Sequence, residues 1–468
     1  MITKEEIEAK GEEFEIHVAN VQRDYVFGWL LAAIYSATEL RTILILKGGN
    51  AFRKAYFEAT RFSADLDFST QQSINPEFLA GELNKACQLV RERAGVAFDI
   101  ESTRVETKEF AHLSSEPART IYEVRLYFQD FHGQREGVLI SVRMDVAELD
   151  RIFLPIQTRN LIHPYSDAGE CKAEIRCVQL EELLATKLKC LLQRRRAFDL
   201  YDYIFSVFIK HELAVDRGEI VRVFLGKTIF RSDPGAARDL LLGLPFERFE
   251  DAWNKYIVCP RQAWIDFGEG LSRFKEDIAS LFGSFGFRRA QVAFFPAHYR
   301  NPIMDAGSSM TLLRLTYHGV QRDIEPYSLV YKRRRDGVEQ EYFYGYDRTG
   351  GQRSGPGIKT FVASDVQRLE ATEEKFEPRF PVELSKAGEP AGKGYFGSPF
   401  SRPGAVRSAV GPRSVGRSRS GVIYILQCPY CMKTFRRSVR STRLNKHTDN
   451  YGNRCYGRVG TIIDQTWR

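Results

Sequence analysis

The sequence has little of what several classes of protein require. Eight cysteines in 468 residues, in an ordinary composition of 43% hydrophobic and 27% charged residues, exclude disulfide scaffolds, collagen-like chains and fully disordered chains. The opening segment MITKEEIEAK is charged and has no apolar stretch of the kind found in secretion signals. The longest apolar stretch, Trp29 to Leu46, is interrupted by Glu39 and Arg41, which argues against a membrane-spanning helix. These absences predict a soluble, cytoplasmic protein.

Positive charge is concentrated at the C-terminal end. The whole chain has a formal net charge of +8, but residues 385–468 contain 16 Lys/Arg against 3 Asp/Glu, so this part alone is +13 and the preceding part is −5. Such asymmetry favours an acidic partner for the C-terminal part, most often nucleic acid. The alternative is a basic tail that only improves solubility.

The apolar patterns change along the chain. Up to about residue 300, helical spacings of three and four alternate with short apolar runs, which predicts a mixed α/β region. Residues 310–384 alternate aromatic or β-branched with polar residues between glycine-containing turns, which predicts a small β-barrel. Residues 385–420 are rich in Gly, Ser, Pro and Arg, as in a flexible linker, and residues 421–468 form a short terminal module.

The strongest chemical motif is a pair of aspartates in the segment RFSADLDF. Alternate residues of a strand share one face, so Asp65 and Asp67 are predicted to point the same way. Two carboxylates this close repel each other without a cation, and together they suit a pair of Mg²⁺ ions that bridge nucleotide phosphates. The alternative is a solvated strand end.

Two further segments fit the same chemistry. The glycine turn of KGGN, Gly48 and Gly49, allows backbone N–H groups to approach a triphosphate. Asp145 lies on the polar face of the later strand GVLISVRMDVAE and is predicted to be the third metal carboxylate, the one that activates an attacking hydroxyl. Lys187 lies in the leucine stripe of a predicted helix, where a lysine is unusual. It is predicted to contact phosphate, with a lysine at the edge of the stripe as the alternative.

Four segments, in this order, resemble the AbiEii/AbiGii family of nucleotidyltransferase toxins: LKGGNAF, RFSADLDF, VRMDVAE and LEELLATKLKCLLQRRRAFDLYDYIF. The resemblance covers about residues 20–210 and implies a polymerase-β-type nucleotidyltransferase fold. It also implies Mg²⁺-dependent transfer of a nucleotidyl group from an NTP, with GTP or CTP as donor and the tRNA 3′ end as acceptor. Members belong to bacterial toxin–antitoxin and phage-defence systems, so a protein antitoxin is an expected partner.

The resemblance also implies residue roles. The expected nucleotide-binding residues are Lys47, Gly48, Gly49, Ser63 and Lys187, and the expected catalytic residues are Asp65, Asp67, Asp145, Lys187 and Asp199, of which Asp65, Asp67 and Asp145 hold Mg²⁺. Asp202 matches the second aspartate of the D-L-Y-D segment. Phe198 stands where the family often has arginine, and Arg194 to Arg196 are the candidates to replace it.

Residues 310–384 resemble a WYL-type domain through LTYHGVQRDIEPYSLVYKR, EYFYGYDR and KFEPRFPVEL, although the WYL tripeptide itself is absent. The resemblance implies an SH3-like barrel that binds nucleic acid or another ligand. A basic and aromatic surface is one prediction for five of its residues. These residues are Arg322, Tyr327, Tyr331, Lys332 and Lys359. The equally weighted alternative is that the tyrosines pack the barrel and the basic residues are solvated strand faces.

The terminal module has the ligand set of a structural zinc site. Cys428 and Cys431 have the spacing of a zinc knuckle, His447 follows after fifteen intervening residues, and Cys455 follows after seven more. A module this small has too little core to fold without such help. Reduced cysteines with a surface histidine are the alternative. Basic residues between the ligands favour contact with RNA or DNA.

The predicted fold is therefore an α/β nucleotidyltransferase core of the polymerase-β type with a helical extension, a small SH3-like β-barrel and a zinc module. The predicted parts are the transferase domain 1–215, the helical extension 216–300, the WYL-like barrel 305–384, the linker 385–420 and the zinc module 421–468. Two other functions stay open from the sequence. One is a nucleic-acid-binding defence regulator, and the other is a nucleotidyltransferase that modifies a protein or a small molecule.

Overall fold

The structure is a computed structural model of the chain. It describes residues 1–14, 16–110, 119–132, 138–209, 213–231, 233–283, 294–333, 339–351, 354–379, 382, 384, 422–437, 439, 441–449 and 454–467. The predicted linker 385–420 lies outside the described residues.

The element order is mixed α and β throughout, which confirms the predicted class. The α-helices are α1 Lys4–Phe14, α2 Val18–Ala37, α3 Gly48–Ala51, α4 Pro76–Ala94, α5 Leu180–Gln193, α6 Ala197–Ile204, α7 Arg217–Lys227, α8 Pro234–Leu242, α9 Phe246–Tyr256, α10 Phe267–Leu281 and α11 Ala297–Ser309. The strands are β1 Ile45–Lys47, β2 Asp65–Ser69, β3 Arg104–Phe110, β4 Arg119–Gln129, β5 Leu139–Ala147, β6 Gln157–Asn160, β7 Glu174–Cys177, β8 Thr311–Tyr317, β9 Val320–Arg333, β10 Glu339–Asp347, β11 Gly357–Phe361, β12 Val366–Lys375, β13 Val422–Gln427, β14 Thr434–Arg437, β15 His447–Thr448, β16 Arg454–Cys455 and β17 Thr461–Trp467.

A seven-stranded sheet in the order β3-β4-β5-β2-β1-β7-β6 is the centre of the N-terminal part. β2 runs parallel to β5 and β1 runs parallel to β7, while the other neighbours are antiparallel. α2 is almost entirely buried and, like α4, packs on this sheet, and the helices from α5 to α10 contribute to the same apolar core. One apolar core therefore extends from Ile2 to Phe282 and includes the predicted helical extension.

The segment after β1 differs from the predicted tight turn. Gly48 has a φ of +71°, which L side chains rarely adopt, and the chain then enters the short helix α3 and a π-helical turn, Phe52–Tyr56. The glycine pair thus joins a strand directly to a helix. Backbone N–H groups at such a helix start have no partner within the helix, which suits an anion nearby.

A five-stranded antiparallel sheet in the order β11-β10-β9-β8-β12 follows, packed against α11 around its own apolar core. The order begins at β11 and ends at β12, and closure into an SH3-like barrel stays a prediction. The packing alternative holds for Tyr327, which is buried in the core of this sheet, while Tyr331 is partly buried against the N-terminal core and its hydroxyl accepts from Arg300. Arg322 fits neither interpretation, because it is buried and pairs with Asp347.

The terminal module contains a three-stranded sheet, β14-β13-β17, and the two-stranded β15-β16. Its small apolar core consists of Leu426, Leu444 and two cysteines, Cys428 and Cys455. Within the described residues, no helix combines the length and the apolar character that spanning a bilayer would require.

Candidate active site

Three aspartates meet where β2 and β5 run side by side. The register places Asp67 directly beside Asp145, with Asp65 two residues earlier on β2. A carboxylate oxygen of each lies within 4.8 Å of the others. We call Asp65, Asp67 and Asp145 the carboxylate cluster. The structure thus brings together the three residues that were predicted to hold Mg²⁺.

The glycine turn lies directly against this cluster. A Cβ atom on Gly48 would overlap the Asp67 carboxylate, and one on Gly49 would lie 2.5 Å from the Ser63 hydroxyl oxygen. Ser63 in turn donates to Asp65 Oδ1 at 3.3 Å. A side chain at either glycine would fill the space between the turn and the acids. Five of the residues predicted from sequence motifs therefore lie next to one another: Gly48, Gly49, Ser63, Asp65 and Asp67.

The electrostatics of the carboxylate cluster fit a bound cation. Burial, followed by repulsion from Asp65 and Asp145, raises the pKa of Asp67 to about 7. Arg143 donates to Asp145 Oδ2 at 3.0 Å, but Asp145 Oδ1 is buried and has no hydrogen-bond partner among the described residues. An oxygen of this kind is suited to a hard divalent cation, because such ions prefer carboxylate ligands. The cluster can therefore hold Mg²⁺.

Two other motif residues support the backbone around the cluster. Lys47 pairs with Asp150 at 2.7 Å, and Asp150 also accepts from the Ser69 hydroxyl. The side-chain amide of Asn50 donates to the Asp65 carbonyl oxygen at 2.5 Å. The amide ties α3 to β2, so it fixes the glycine turn against the strand of the first two aspartates.

A second charged group lies beneath the glycine turn. Lys187 Nζ lies 3.0 Å from Asp199 Oδ1 and 2.8 Å from Asp202 Oδ2, and its side chain is 7% exposed. Arg194 makes a two-pronged contact with Asp199, and Arg61 does the same with Asp202. We call these five residues the ion-pair cluster.

The pKa of the acid Asp199 in the ion-pair cluster shifts in the opposite direction to that of Asp67. Burial alone would raise the pKa of Asp199, but Arg194 and Lys187 outweigh it and hold the pKa well below its usual range. Burial alone would lower the pKa of Lys187, but Asp202 and Asp199 raise it. These side chains are charged, paired and almost inaccessible to water, apart from Arg194, whose side chain is 33% exposed.

The structure also places residues near the site for which sequence patterns gave no role. Arg61 Nη2 would lie 3.0 Å from a Cβ on Gly49, so the guanidinium is directly below the turn. Glu123 of β4 lies opposite Asp145 in the register. For Arg61, the available signal was its position in the motif RFSADLDF, two residues before Ser63. For Glu123, no pattern in the neighbouring sequence indicated a position near the site.

The four predicted zinc ligands also come together. Cys428 Sγ lies 3.6 Å from Cys455 Sγ, and Cys431 Sγ lies 3.4 Å from His447 Nε2. Tetrahedral zinc with ordinary bond lengths separates two ligand sulfurs by about 3.8 Å, so these distances suit one shared ion. His447 Nδ1 donates to the Asn445 carbonyl oxygen, which leaves Nε2 free to bind metal.

The comparisons with known proteins agree with this geometry. The family model of the nucleotidyl transferase AbiEii toxin, from type IV toxin–antitoxin systems, matches residues 29–284. A solved structure, the nucleotidyltransferase toxin MenT4 from Mycobacterium tuberculosis H37Rv, is similar with a TM-score of 0.37 and 17% identity. The match covers 61% of this chain and 91% of that chain. None of the curated proteins matches the sequence. The family match covers more than half of the chain and contains the carboxylate and ion-pair clusters. The chain belongs to the AbiEii family of NTP-dependent nucleotidyltransferase toxins.

Proposed function

We propose that the protein transfers a nucleotidyl group from an NTP to an RNA acceptor, with tRNA as the expected target, and that it requires Mg²⁺. The observation that carries this proposal is the carboxylate cluster, with its raised Asp67 pKa and the unpartnered Asp145 oxygen. Three acids held together without enough counter-charge form a site that a divalent cation completes.

Each part of the site has a role in this reaction. Asp65, Asp67 and Asp145 would hold divalent ions, which neutralise the negative charge on the phosphates when bound. The turn at Gly48 brings backbone N–H groups towards the triphosphate. Arg194, the accessible cation of the ion-pair cluster, would contact the phosphates, and its electrostatic interaction with Asp67 supports this role. Lys187 was predicted for that contact, and its two ion pairs favour an indirect role in fixing this surface.

The bond changes are those of nucleotidyl transfer. An acceptor hydroxyl oxygen forms a bond to the α-phosphorus, while the bond from this phosphorus to the bridging oxygen breaks. Pyrophosphate leaves with the electron pair. The hydroxyl proton passes to the Asp145 carboxylate and from there to water.

The charge of the C-terminal module supports a nucleic-acid acceptor. Its described part includes the exposed Arg436 and Arg443 and the partly buried Lys433 and Arg437, in a chain whose residues 385–468 are strongly basic. A polyanionic acceptor would be attracted by this charge, and the attraction would weaken with salt. In a cell the proposed activity would arrest growth, and a cognate antitoxin would relieve the arrest. The same arrest would limit phage multiplication.

The experiment incubates the purified chain with Mg²⁺, each α-labelled NTP in turn, and total bacterial RNA. Label in an RNA band is expected for the wild type and for Asp239→Asn, which changes an exposed aspartate of α8. Asp65→Asn and Asp67→Asn should give none. The α-labelled NTP that transfers label to RNA is the donor, and GTP or CTP is expected. Label on protein alone, or equal labelling by the Asp67→Asn variant, would contradict the proposal.

We further propose that Cys428, Cys431, His447 and Cys455 bind one structural Zn²⁺. All eight cysteines have free thiols in the structure, so the three cysteine ligands are available. Native mass spectrometry of the full chain should find one zinc per chain, and Cys431→Ser should lose it. Cys87→Ser, a buried cysteine in α4, is the matched control and should keep the metal. Zinc retained by Cys431→Ser would refute this ligand set.

A further inference from the structure

The terminal module contacts the strand that carries Asp145. β5 pairs with β4 from Leu139 onwards, but its pairing with β2 begins only at Arg143. Residues 139–142 therefore have an edge that β2 does not cover. The backbone N–H of Ser141 donates to the Tyr430 carbonyl oxygen at 3.2 Å across this edge. Tyr430 lies between the predicted zinc ligands Cys428 and Cys431.

A buried arginine of α2 joins β5 to the loop between Cys428 and Cys431. Arg23 of α2 is 2% exposed and donates from Nε to the Ser141 carbonyl oxygen at 2.8 Å. Its Nη2 donates to the Pro429 carbonyl oxygen at 2.9 Å. One planar guanidinium therefore holds β5 and the Cys428–Cys431 loop together, and the three elements are far apart in the sequence.

The charge of Arg23 also needs an explanation. The hydrogen-bond acceptors found for its guanidinium are two backbone carbonyls and the side-chain oxygen of Asn20, all of them neutral. A buried cation is costly without a counter-charge nearby. Zinc with three thiolates and one neutral imidazole would carry a net negative charge, and Pro429 lies in the sequence between two of the cysteines that would hold it, Cys428 and Cys431. The metal-loaded module supplies the counter-charge that the described partners lack.

We propose that Arg23 is a positioning residue that couples metal binding by the terminal module to the geometry of β5. In the loaded protein, Arg23 and the bond from Ser141 to Tyr430 fix the start of β5, four residues or about 13 Å before Asp145. When the metal is lost, the loop between the cysteines loses its shape, the edge of β5 opens, and Asp145 is held less well against Asp67. The kinetic part of this inference rests on the proposed function.

The direct test is amide hydrogen exchange of the full chain as purified, after removal of zinc by a chelator, and after reloading. Exchange at the Ser141 amide should become at least about tenfold faster without metal and return on reloading, because opening of a strand edge exposes its amides. Residues 143–147, which are paired on both sides, should change little. Arg23→Met should show the fast exchange even when loaded with zinc.

Two further variants separate positioning from general damage. Arg23→Lys keeps the charge but cannot reach both carbonyls with one planar group, so it should give an intermediate rate of exchange. Arg436→Gln, at an exposed site on the same module, should exchange like the wild type. If Arg23→Met does not fold, zinc removal from the wild type provides the same test. Unchanged exchange at Ser141 after verified zinc loss would overturn the inference.

The kinetic readout distinguishes this inference from the proposed function. Zinc removal and Arg23→Met should lower kcat for transfer by about tenfold, because a small misplacement of a catalytic group is costly, with little change in the KM for NTP. A rise in that KM with unchanged kcat would contradict a role in positioning Asp145. If the wild type transfers nothing to RNA but Ser141 still responds to zinc, the proposed function fails and the coupling between module and strand stands.

Discussion

The N-terminal core contains two neighbouring clusters of charged side chains, the carboxylate cluster and the ion-pair cluster. They differ in how far protein cations balance the charge of their aspartates. In the carboxylate cluster, Arg143 donates to Asp145, and burial with repulsion from Asp65 and Asp145 raises the pKa of Asp67 to about 7. In the ion-pair cluster, two acids are surrounded by three cations, and the pKa of Asp199 is held well below its usual range. The same side-chain type therefore has two different roles.

The difference shows how a buried acid can be assigned to function or to stability. Acids whose charge is already balanced by protein cations hold the fold together, since removing one partner leaves a buried charge uncompensated. Acids that repel one another destabilise the fold and are retained because a ligand completes them. On this argument the carboxylate cluster is the reactive centre, and the ion-pair cluster is the support beneath the glycine turn.

The largest expected effect is on activity, from Asp67→Asn. Loss of one metal-binding carboxylate should reduce the rate of transfer by about a thousandfold or more, since metal binding contributes several kcal/mol to the barrier. The metal-free variant should nevertheless melt no lower than the wild type, because the repulsion in the carboxylate cluster is reduced. Labelled-NTP transfer and thermal melting on the same preparation measure both. A clear drop in melting temperature without metal would place Asp67 among the structural acids.

The opposite result is expected from Asp202→Asn in the ion-pair cluster. This change leaves Arg61 and Lys187 buried with less counter-charge, which should lower the free energy of unfolding by about 3–5 kcal/mol. Denaturant titration provides the measurement. Asp239→Asn, at an exposed site, should stay within about 0.5 kcal/mol of the wild type. Equal stability of the two variants would remove the distinction between the clusters.

The two clusters should also respond to pH with opposite signs. A carboxyl whose pKa is raised in the folded state, as for Asp67, lowers the free energy of unfolding as the pH rises from about 4 towards 7. The reason is that the same carboxyl in the unfolded chain loses its proton at a lower pH. A carboxyl with a lowered pKa, as for Asp199, contributes stability at neutral pH and loses it as the pH falls below about 4.

Melting curves with and without divalent cation test this pH dependence. Mg²⁺ or Mn²⁺ should raise the melting temperature more at pH 8 than at pH 5, because protons compete with the metal for Asp67. At pH 8 and saturating metal the gain should be about 2 kcal/mol. Asp67→Asn should lose most of this gain and Asp202→Asn should keep it. A metal effect independent of pH would mean that the cation binds elsewhere.

The carboxylate cluster was predictable because its signal is local. Strand alternation predicted that Asp65 and Asp67 share one face, and the polar face of a later strand identified Asp145. Only the pairing of these two strands required the structure. The spacing of four ligands was equally informative for the terminal module. By contrast, the pairing of Lys187 with Asp199 and Asp202 depends on how α6 packs against α5, which helical periodicity does not contain.

Other features were missed because their partners are distant in sequence or their strands are polar. β6, with the sequence QTRN, has no apolar alternation, and only its pairing with β7 makes it a strand. Arg23 is one of two adjacent charged residues in an apolar helix, and its hydrogen bonds go to Ser141 and Pro429, which lie more than a hundred residues away. Contacts of this kind are decided by the folded structure, so no local pattern could have revealed them.

The smallest expected effect concerns which cation of the ion-pair cluster reaches the nucleotide. Arg194 is the more accessible, and its charge acts on both Asp199 and Asp67, so it lies between the two clusters. Arg194→Lys should raise the KM for NTP by about tenfold, because an ammonium lacks the forked donor geometry that a guanidinium offers to phosphate. Stability should fall less than for Asp202→Asn, because Lys187 still pairs with Asp199. The exposed Arg222→Lys in α7 is the control.

Lys187→Met tests whether the buried cation of the ion-pair cluster contacts the nucleotide. Because Lys187 is enclosed by two carboxylates, its loss should lower stability, with the KM for NTP of the folded fraction nearly unchanged. Steady-state kinetics at a temperature where each variant is folded would measure this. A large rise in KM for Lys187→Met and none for Arg194→Lys would restore the direct phosphate contact predicted for Lys187. The ion-pair cluster would then be part of the nucleotide site as well as its support, and the division between the two clusters would no longer hold.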